Sequence, residues 1–404
     1  MNPIPDSDDP FTVLAPPRPC RTGPLAGVGL AVKETIAVAG LPWHGGSKAL
    51  EGRIARADAP AVADLRGAGV GVVGLTRCDT LGFGVTTPTL RHPSAPGRSV
   101  GGSSGGAAAA VLLGRAALGL GTDTGGSCRI PAACCGLFGL KPSRGLVPLA
   151  GMMPMAPGLD HAGFIAARLP LIRRALAVFD AKGAAPHPRL AVDREALAAA
   201  EPSVRDALDA ALARLVAAGH RLCPVRLPGE PLWRAAHGVI VCRAALEVWG
   251  RTRRDGLPPR LLAALDRGAA LKPRDAALAL KAQTACTAAV DGLFERADLL
   301  LLPTLAVPPP PQRANVVPVG GHRRDVVAAL TLYTGLFNLT GHPALAVPVA
   351  HPGTPLPASL QIVAPLGADL ALVDAVRGLL PLLDPDGPDP DEDGGPFHAK
   401  AGGA

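Results

Sequence analysis

Gly101-Gly102-Ser103-Ser104-Gly105-Gly106, then an alanine-rich apolar run, then Gly121-Thr122-Asp123-Thr124-Gly125-Gly126-Ser127-Cys128-Arg129-Ile130-Pro131: this 404-residue chain is organised around that stretch. The run between the two loops is long enough for one helix, expected over residues 107–118, and one strand. Such a pair lets the loops fold back against each other. Glycine tolerates backbone angles and close approaches that a β-carbon forbids, so each serine can sit on a tight, accessible turn. Gly125-Gly126-Ser127 also offers a row of backbone N–H donors, which can form a concave anion site beside the hydroxyl. A nucleophile next to its own oxyanion pocket is what acyl transfer needs.

Glycine–serine runs are most often flexible linkers. A linker, however, is not followed by an apolar helix and a second glycine loop ending in Arg129-Ile130-Pro131. Neither loop has the Gly-Lys-Ser/Thr ending of a phosphate-binding loop. Gly102-Ser103-Ser104-Gly105-Gly106 does fit the Gly-x-Ser-x-Gly turn of α/β-hydrolases, which makes Ser104 the nucleophile of an alternative, esterase-type enzyme. That turn needs a strand before it, and Ser94-Ala95-Pro96-Gly97-Arg98 is a poor one.

The whole stretch resembles the hallmark of the amidase signature family, GGSSGG followed by G-[ST]-D-x-G-G-S-x-R-x-P. The likeness continues into Gly136-Leu137-Phe138-Gly139-Leu140-Lys141-Pro142. The resemblance implies that Ser127 is the nucleophile and that Ser103, in a cis peptide, relays protons. Lys33, in Leu30-Ala31-Val32-Lys33-Glu34, then completes a Ser-Ser-Lys triad. Burial at the end of an apolar strand disfavours an ammonium, which would let Lys33 act as a base. The oxyanion hole is expected from the backbone N–H groups of Thr124, Gly125, Gly126 and Ser127. Ser104, Asp123 and Arg129 are expected in support, Asp123 bracing backbone donors and Arg129 acting as an ion-pair clamp. The activity implied is hydrolysis of a carboxylic amide to an acid and ammonia or an amine, with no cofactor and no metal. A glutaminase component similar to the catalytic chain of an amidotransferase is the alternative within the family.

Working outward, residues 28–32 and 70–75 read as strands around a helix within 59–69, a strand–helix–strand unit and hence a parallel pairing. Residues 296–304 read as another buried strand. The fold expected is α/β: a single large domain whose mixed twisted central sheet, largely parallel, is covered by helices on both faces. Residues 1–24, rich in proline, are expected to wrap the surface. The amidase domain is expected over 25–383, with a helical, substrate-shaping region at about 169–292, where Trp233, His237 and Trp249 are candidates either for a pocket or for helical core. Residues 384–404 are expected to be disordered. The chain departs from the family at Glu34, where aspartate is usual, and at Arg77-Cys78-Asp79-Thr80-Leu81, where Asn-Met-Asp-Glu-Phe is common. Both changes lie on the approach to the serines, so the identity of the amide stays open.

Composition narrows the partners. The chain is 48% apolar and 18% charged, which excludes a solvated disordered chain. The net charge of +7 comes from scattered arginines, and aromatics are only 3%, so neither a basic tract nor a stacking platform for nucleic acid is present. The N-terminus lacks the basic start and apolar core of a secretory signal, and Arg115 interrupts the longest apolar run. Cys20, Cys78, Cys128, Cys134, Cys135, Cys223, Cys242 and Cys286 show no metal spacing. They are read as free thiols of a cytoplasmic protein, Cys128 as a small apolar filler. The expected partner is a small-molecule amide, without nucleic acid or membrane; a homodimer is the one assembly entertained.

Overall fold

The computed structural model describes residues 7–16, 22–179 and 188–389, apart from Pro352, Pro355, Asp386 and Pro388. Beyond 389, the segment expected to be disordered lies outside the described residues. In chain order the first elements are β1 (Phe11–Leu14), β2 (Gly29–Lys33), α1 (Pro60–Gly67), β3 (Gly71–Thr76), α2 (Gly105–Leu112), β4 (Leu118–Asp123) and α3 (Arg129–Cys134). There follow β5 (Phe138–Lys141), β6 (His161–Ala166), α4 (Leu169–Ala177), β7 (Leu190–Asp193), α5 (Arg194–Ala198), α6 (Pro202–Ala217) and β8 (Leu222–Val225). The remainder is α7 (Glu230–Trp249), α8 (Pro259–Ala270), α9 (Pro273–Leu293), β9 (Leu299–Pro303), the β10 (Val316–Val319) and β11 (His322–Asp325) hairpin, α10 (Val326–Leu330), α11 (Gly335–Thr340), β12 (Ala344–Val349), β13 (Ala358–Val363) and α12 (Asp369–Leu383). Helices α1, α6, α8 and α9 each begin with proline, which fits the first helical turn because its missing N–H has no intrahelical acceptor there.

Eleven strands form one mixed sheet in the order β1-β3-β2-β4-β6-β5-β12-β13-β9-β7-β8. Parallel pairings fall in two blocks, β3-β2-β4 and β9-β7-β8, and the strands between the blocks pair antiparallel. The α/β fold with helices on both faces is therefore as expected. Two details are new. Phe11–Leu14, inside the expected surface wrap, adds an antiparallel edge strand to β3. The expected helical region also contributes β7 and β8 to the far edge of the sheet.

Period-two alternation sorts the core. Leu299 and Leu301 of β9 pack with α4, α6 and α12 on one face, while Leu300 and Leu302 pack with α7, α9 and α11 on the other. Ala107, Ala108 and Ala109 let α2 lie close on that second face, against Ile165. The parallel strands β2, β3 and β4 deliver their carboxyl ends side by side. That is the usual place for a site in an open α/β sheet, and both serine loops open there.

Candidate active site

Strand β2 ends in Lys33, a fully buried amine. Its Nζ donates to Ser103 Oγ at 2.7 Å and to Thr122 Oγ1 at 2.7 Å. The strand register explains the second contact: Val32 pairs with Leu120 of β4, so Thr122 lies just beyond the end of β2. Among the described residues no carboxylate stands within ion-pair distance of this amine. The Gly102–Ser103 peptide is cis, as the resemblance implied. Gly102 is packed so tightly that a β-carbon there would lie 2.1 Å from Asp79 Oδ2. Asp79 in turn accepts N–H donations from Thr86 and Thr87, and burial raises its pKa against those hydrogen bonds.

Ser127 is joined to this pair through the backbone: Ser104 N–H donates to the Ser127 carbonyl at 3.1 Å. The Ser127 hydroxyl makes no hydrogen bond among the described residues and lines a cavity of about 510 Å³, within the range of small-molecule sites. Ser104, the alternative nucleophile, is buried with its hydroxyl turned to the Thr122 carbonyl at 3.3 Å. The residues before it form no strand, so the elbow of an α/β-hydrolase is absent here.

Below Ser127 lies a buried polar knot. Asp123 accepts N–H donations from Gly126 at 2.9 Å and Cys128 at 3.1 Å, and from Arg129 Nη2 at 2.8 Å. Arg129 also donates to the Thr334 carbonyl, Gln361 Oε1 and Asn338 Oδ1. Burial alone would raise the Asp123 pKa, but the Arg129 charge and these hydrogen bonds outweigh it and hold the carboxyl well below its usual range. Asp123 and Arg129 thus brace the loop, as the sequence suggested. One detail differs from expectation: Gly126's N–H is already given to Asp123. Gly126 has φ of 126°, and a β-carbon would meet Thr334 Oγ1 at 2.3 Å, so only glycine fits. Cys128 is buried beside Ser104, with burial pushing its thiol pKa up to about 12, which suits a filler.

The sequence had not assigned roles to Thr122, Thr35 or Asp160. Asp160 accepts Thr124 Oγ1–H at 2.6 Å and so orients a residue of the expected oxyanion hole; burial raises its pKa. Of the three aromatic candidates, His237 lines the Ser127 cavity, its Nε2–H donating to the Thr124 carbonyl at 2.9 Å. Burial lowers its pKa. Trp233 and Trp249 are buried core. His161, read as structural, is buried beneath the site, with Nδ1 2.8 Å from the Leu159 carbonyl. No group of metal-ligating side chains occurs among the described residues.

Residues 18–373 match the family model for amidase. The chain belongs to the amidase family. It is 35% identical to the A chain of the glutamyl-tRNA(Gln) amidotransferase of Thermus thermophilus, covering 87% of this chain and 84% of that one. Among solved structures, a crystal structure of an amidase superimposes with a TM-score of 0.82 at 32% identity, covering 89% of this chain and 85% of that one. A 6-aminohexanoate cyclic dimer hydrolase does so with a TM-score of 0.79 at 27% identity, covering 90% and 86%. This member of the amidase family is an amide-cleaving enzyme, and no helix among its described residues is long and apolar enough to cross a membrane.

Proposed function

We propose that this amidase hydrolyses a small carboxylic amide through an acyl-enzyme on Ser127, with Ser103 and Lys33 as the proton relay. The observation that carries this is the 2.7 Å contact between Lys33 Nζ and Ser103 Oγ in a buried setting. A serine hydroxyl is too weak a nucleophile unless a base takes its proton. Ser127 Oγ attacks the carbonyl carbon, and its proton passes through Ser103 to Lys33. The oxyanion is held by the N–H groups of Thr124, Gly125 and Ser127, Gly126 being committed to Asp123; one such donor is worth roughly 3–4 kcal/mol. Collapse breaks the C–N bond as Ser103 protonates the nitrogen. Water then gives its proton to the same relay, adds to the acyl carbon, and releases the acid with Ser127 restored. The compartment we propose is the reducing cytoplasm, supported by the free state of the seven described cysteines.

A panel of propionamide, hexanamide, benzamide, indole-3-acetamide and glutamine, read by ammonia release, tests the activity. A fluorophosphonate adduct mapped by mass spectrometry tests the nucleophile. Label on Ser127, with release lost in Ser127→Ala by roughly a millionfold, is expected; label on Ser104 overturns the assignment. The similarity to amidotransferase catalytic chains supports a second reading, a glutaminase that works only in a complex. Glutamine hydrolysis that appears only with added partner proteins would favour it.

A further inference from the structure

Two cavities, not one, meet at the serines. The larger holds Ser127; a second, of about 120 Å³, holds Ser103. Gly82 and Met155 line both, and a β-carbon on Gly82 would sit 3.7 Å from Ser103 Oγ and 3.9 Å from Lys33 Nζ. In the inner cavity the apolar wall is Met152, Met153 and Pro154, and the polar wall includes Thr35 and Asp160. Thr35 is buried, and its hydroxyl has no hydrogen-bond partner among the described residues. Its backbone is pinned, the carbonyl accepting N–H donations from Trp43 Nε1 at 3.1 Å and Met153 at 2.9 Å. A buried hydroxyl left unpaired is costly and uncommon, so an orphan beside a proton relay calls for a ligand atom.

Resting on the Ser127 acyl-enzyme proposed above, we infer that this inner cavity is the leaving-group site and that Thr35 holds the departing nitrogen. The proton donor must reach the nitrogen it protonates, and Ser103 faces the inner cavity, not the outer one. The acyl part of the substrate therefore occupies the outer cavity while the nitrogen points inward. The hydrolytic water, activated by the same hydroxyl, enters from the position the nitrogen has left. The inner volume is below the roughly 150 Å³ cavity that accommodates benzene. Ammonia and short alkylamines fit, arylamines do not, and the substrates are primary or N-methyl amides.

The test takes the acyl group that releases ammonia fastest in the panel and compares its primary amide, N-methyl amide, anilide and methyl ester. The primary amide is expected to exceed the anilide at least a hundredfold in kcat/KM. Thr35→Val, which keeps shape and removes the unpaired hydroxyl, should leave Tm unchanged or raised. It should lower kcat/KM for the amide tenfold or more, spare the deacylation rate measured with the ester, and be rescued by Thr35→Ser. Met152→Ala, enlarging the inner cavity, should narrow the gap between primary amide and anilide. Equal turnover of the anilide, or an unaltered amide rate in Thr35→Val, overturns the inference while a Ser127 adduct still stands. Failure to label Ser127 removes the acyl-enzyme itself.

Discussion

Two buried cations a short distance apart in this fold are held in opposite ways. Arg129 is saturated: Asp123, Asn338, Gln361 and the Thr334 carbonyl take its N–H groups, and neither it nor Asp123 is exposed. Lys33 is buried just as deeply, yet its partners are two hydroxyls, with no carboxylate in contact among the described residues. A saturated pair fixes geometry, because removing one partner strands a charge in a low-dielectric interior. An amine resting on hydroxyls keeps somewhere for a proton to go. The first arrangement is scaffold and the second is chemistry, although the residues that define them alternate along one strand and one loop.

That contrast can be broken most directly at Lys33. Lys33→Met is expected to lower kcat by about 10²–10⁴ while Tm holds or rises, since a methionine fills the space without a polar head; a Tm loss with retained turnover would reverse the assignment. Arg129→Met should do the opposite, destabilising the fold by about 3–5 kcal/mol as Asp123 is left buried and unpaired, measured by denaturant unfolding. A stable, active Arg129→Met enzyme would show that the knot is dispensable.

The smallest effect concerns pH. His92, His161, His237 and His342 have pKa values lowered by burial, that of His342 to about 4. Unfolded imidazoles near 6.5 bind protons that the folded ones refuse, so this stability is fully present above pH 6.5 and is lost as pH falls toward the folded values. The slope is at most about 1.4 kcal/mol per pH unit for each histidine. Asp79 and Asp160, raised by burial, work in the other sense, favouring the fold at low pH and losing that contribution as pH rises through their folded values. Thermal melts from pH 7 to 5 should show a falling Tm, and a flat profile would mean that the histidines are hydrated.

Much of this was legible in the chain. Local signals sufficed wherever the backbone itself carries the function: glycines around Ser103 and Ser127, an apolar strand ending in Lys33, proline at helix starts. Asp123 and Arg129 could be read as braces because they are bound to the loop they hold. What escaped the sequence depends on contacts between distant segments. Thr122 touches Lys33 through a parallel strand register; Thr35 faces the cavity because Trp43 and Met153 pin its carbonyl; Phe11–Leu14 is a strand only because β3 offers a free edge.

The sequence alone determined the family, the α/β class and the three residues proposed for the relay, since these follow from spacing and side-chain chemistry along one chain. Only the tertiary structure decided which N–H groups Asp123 already occupies, which histidine faces the substrate cavity, and that two cavities of unequal size flank the serines. Hydrogen bonds saturate and volumes close only after remote segments have packed, and no local pattern of residues encodes the space left between them.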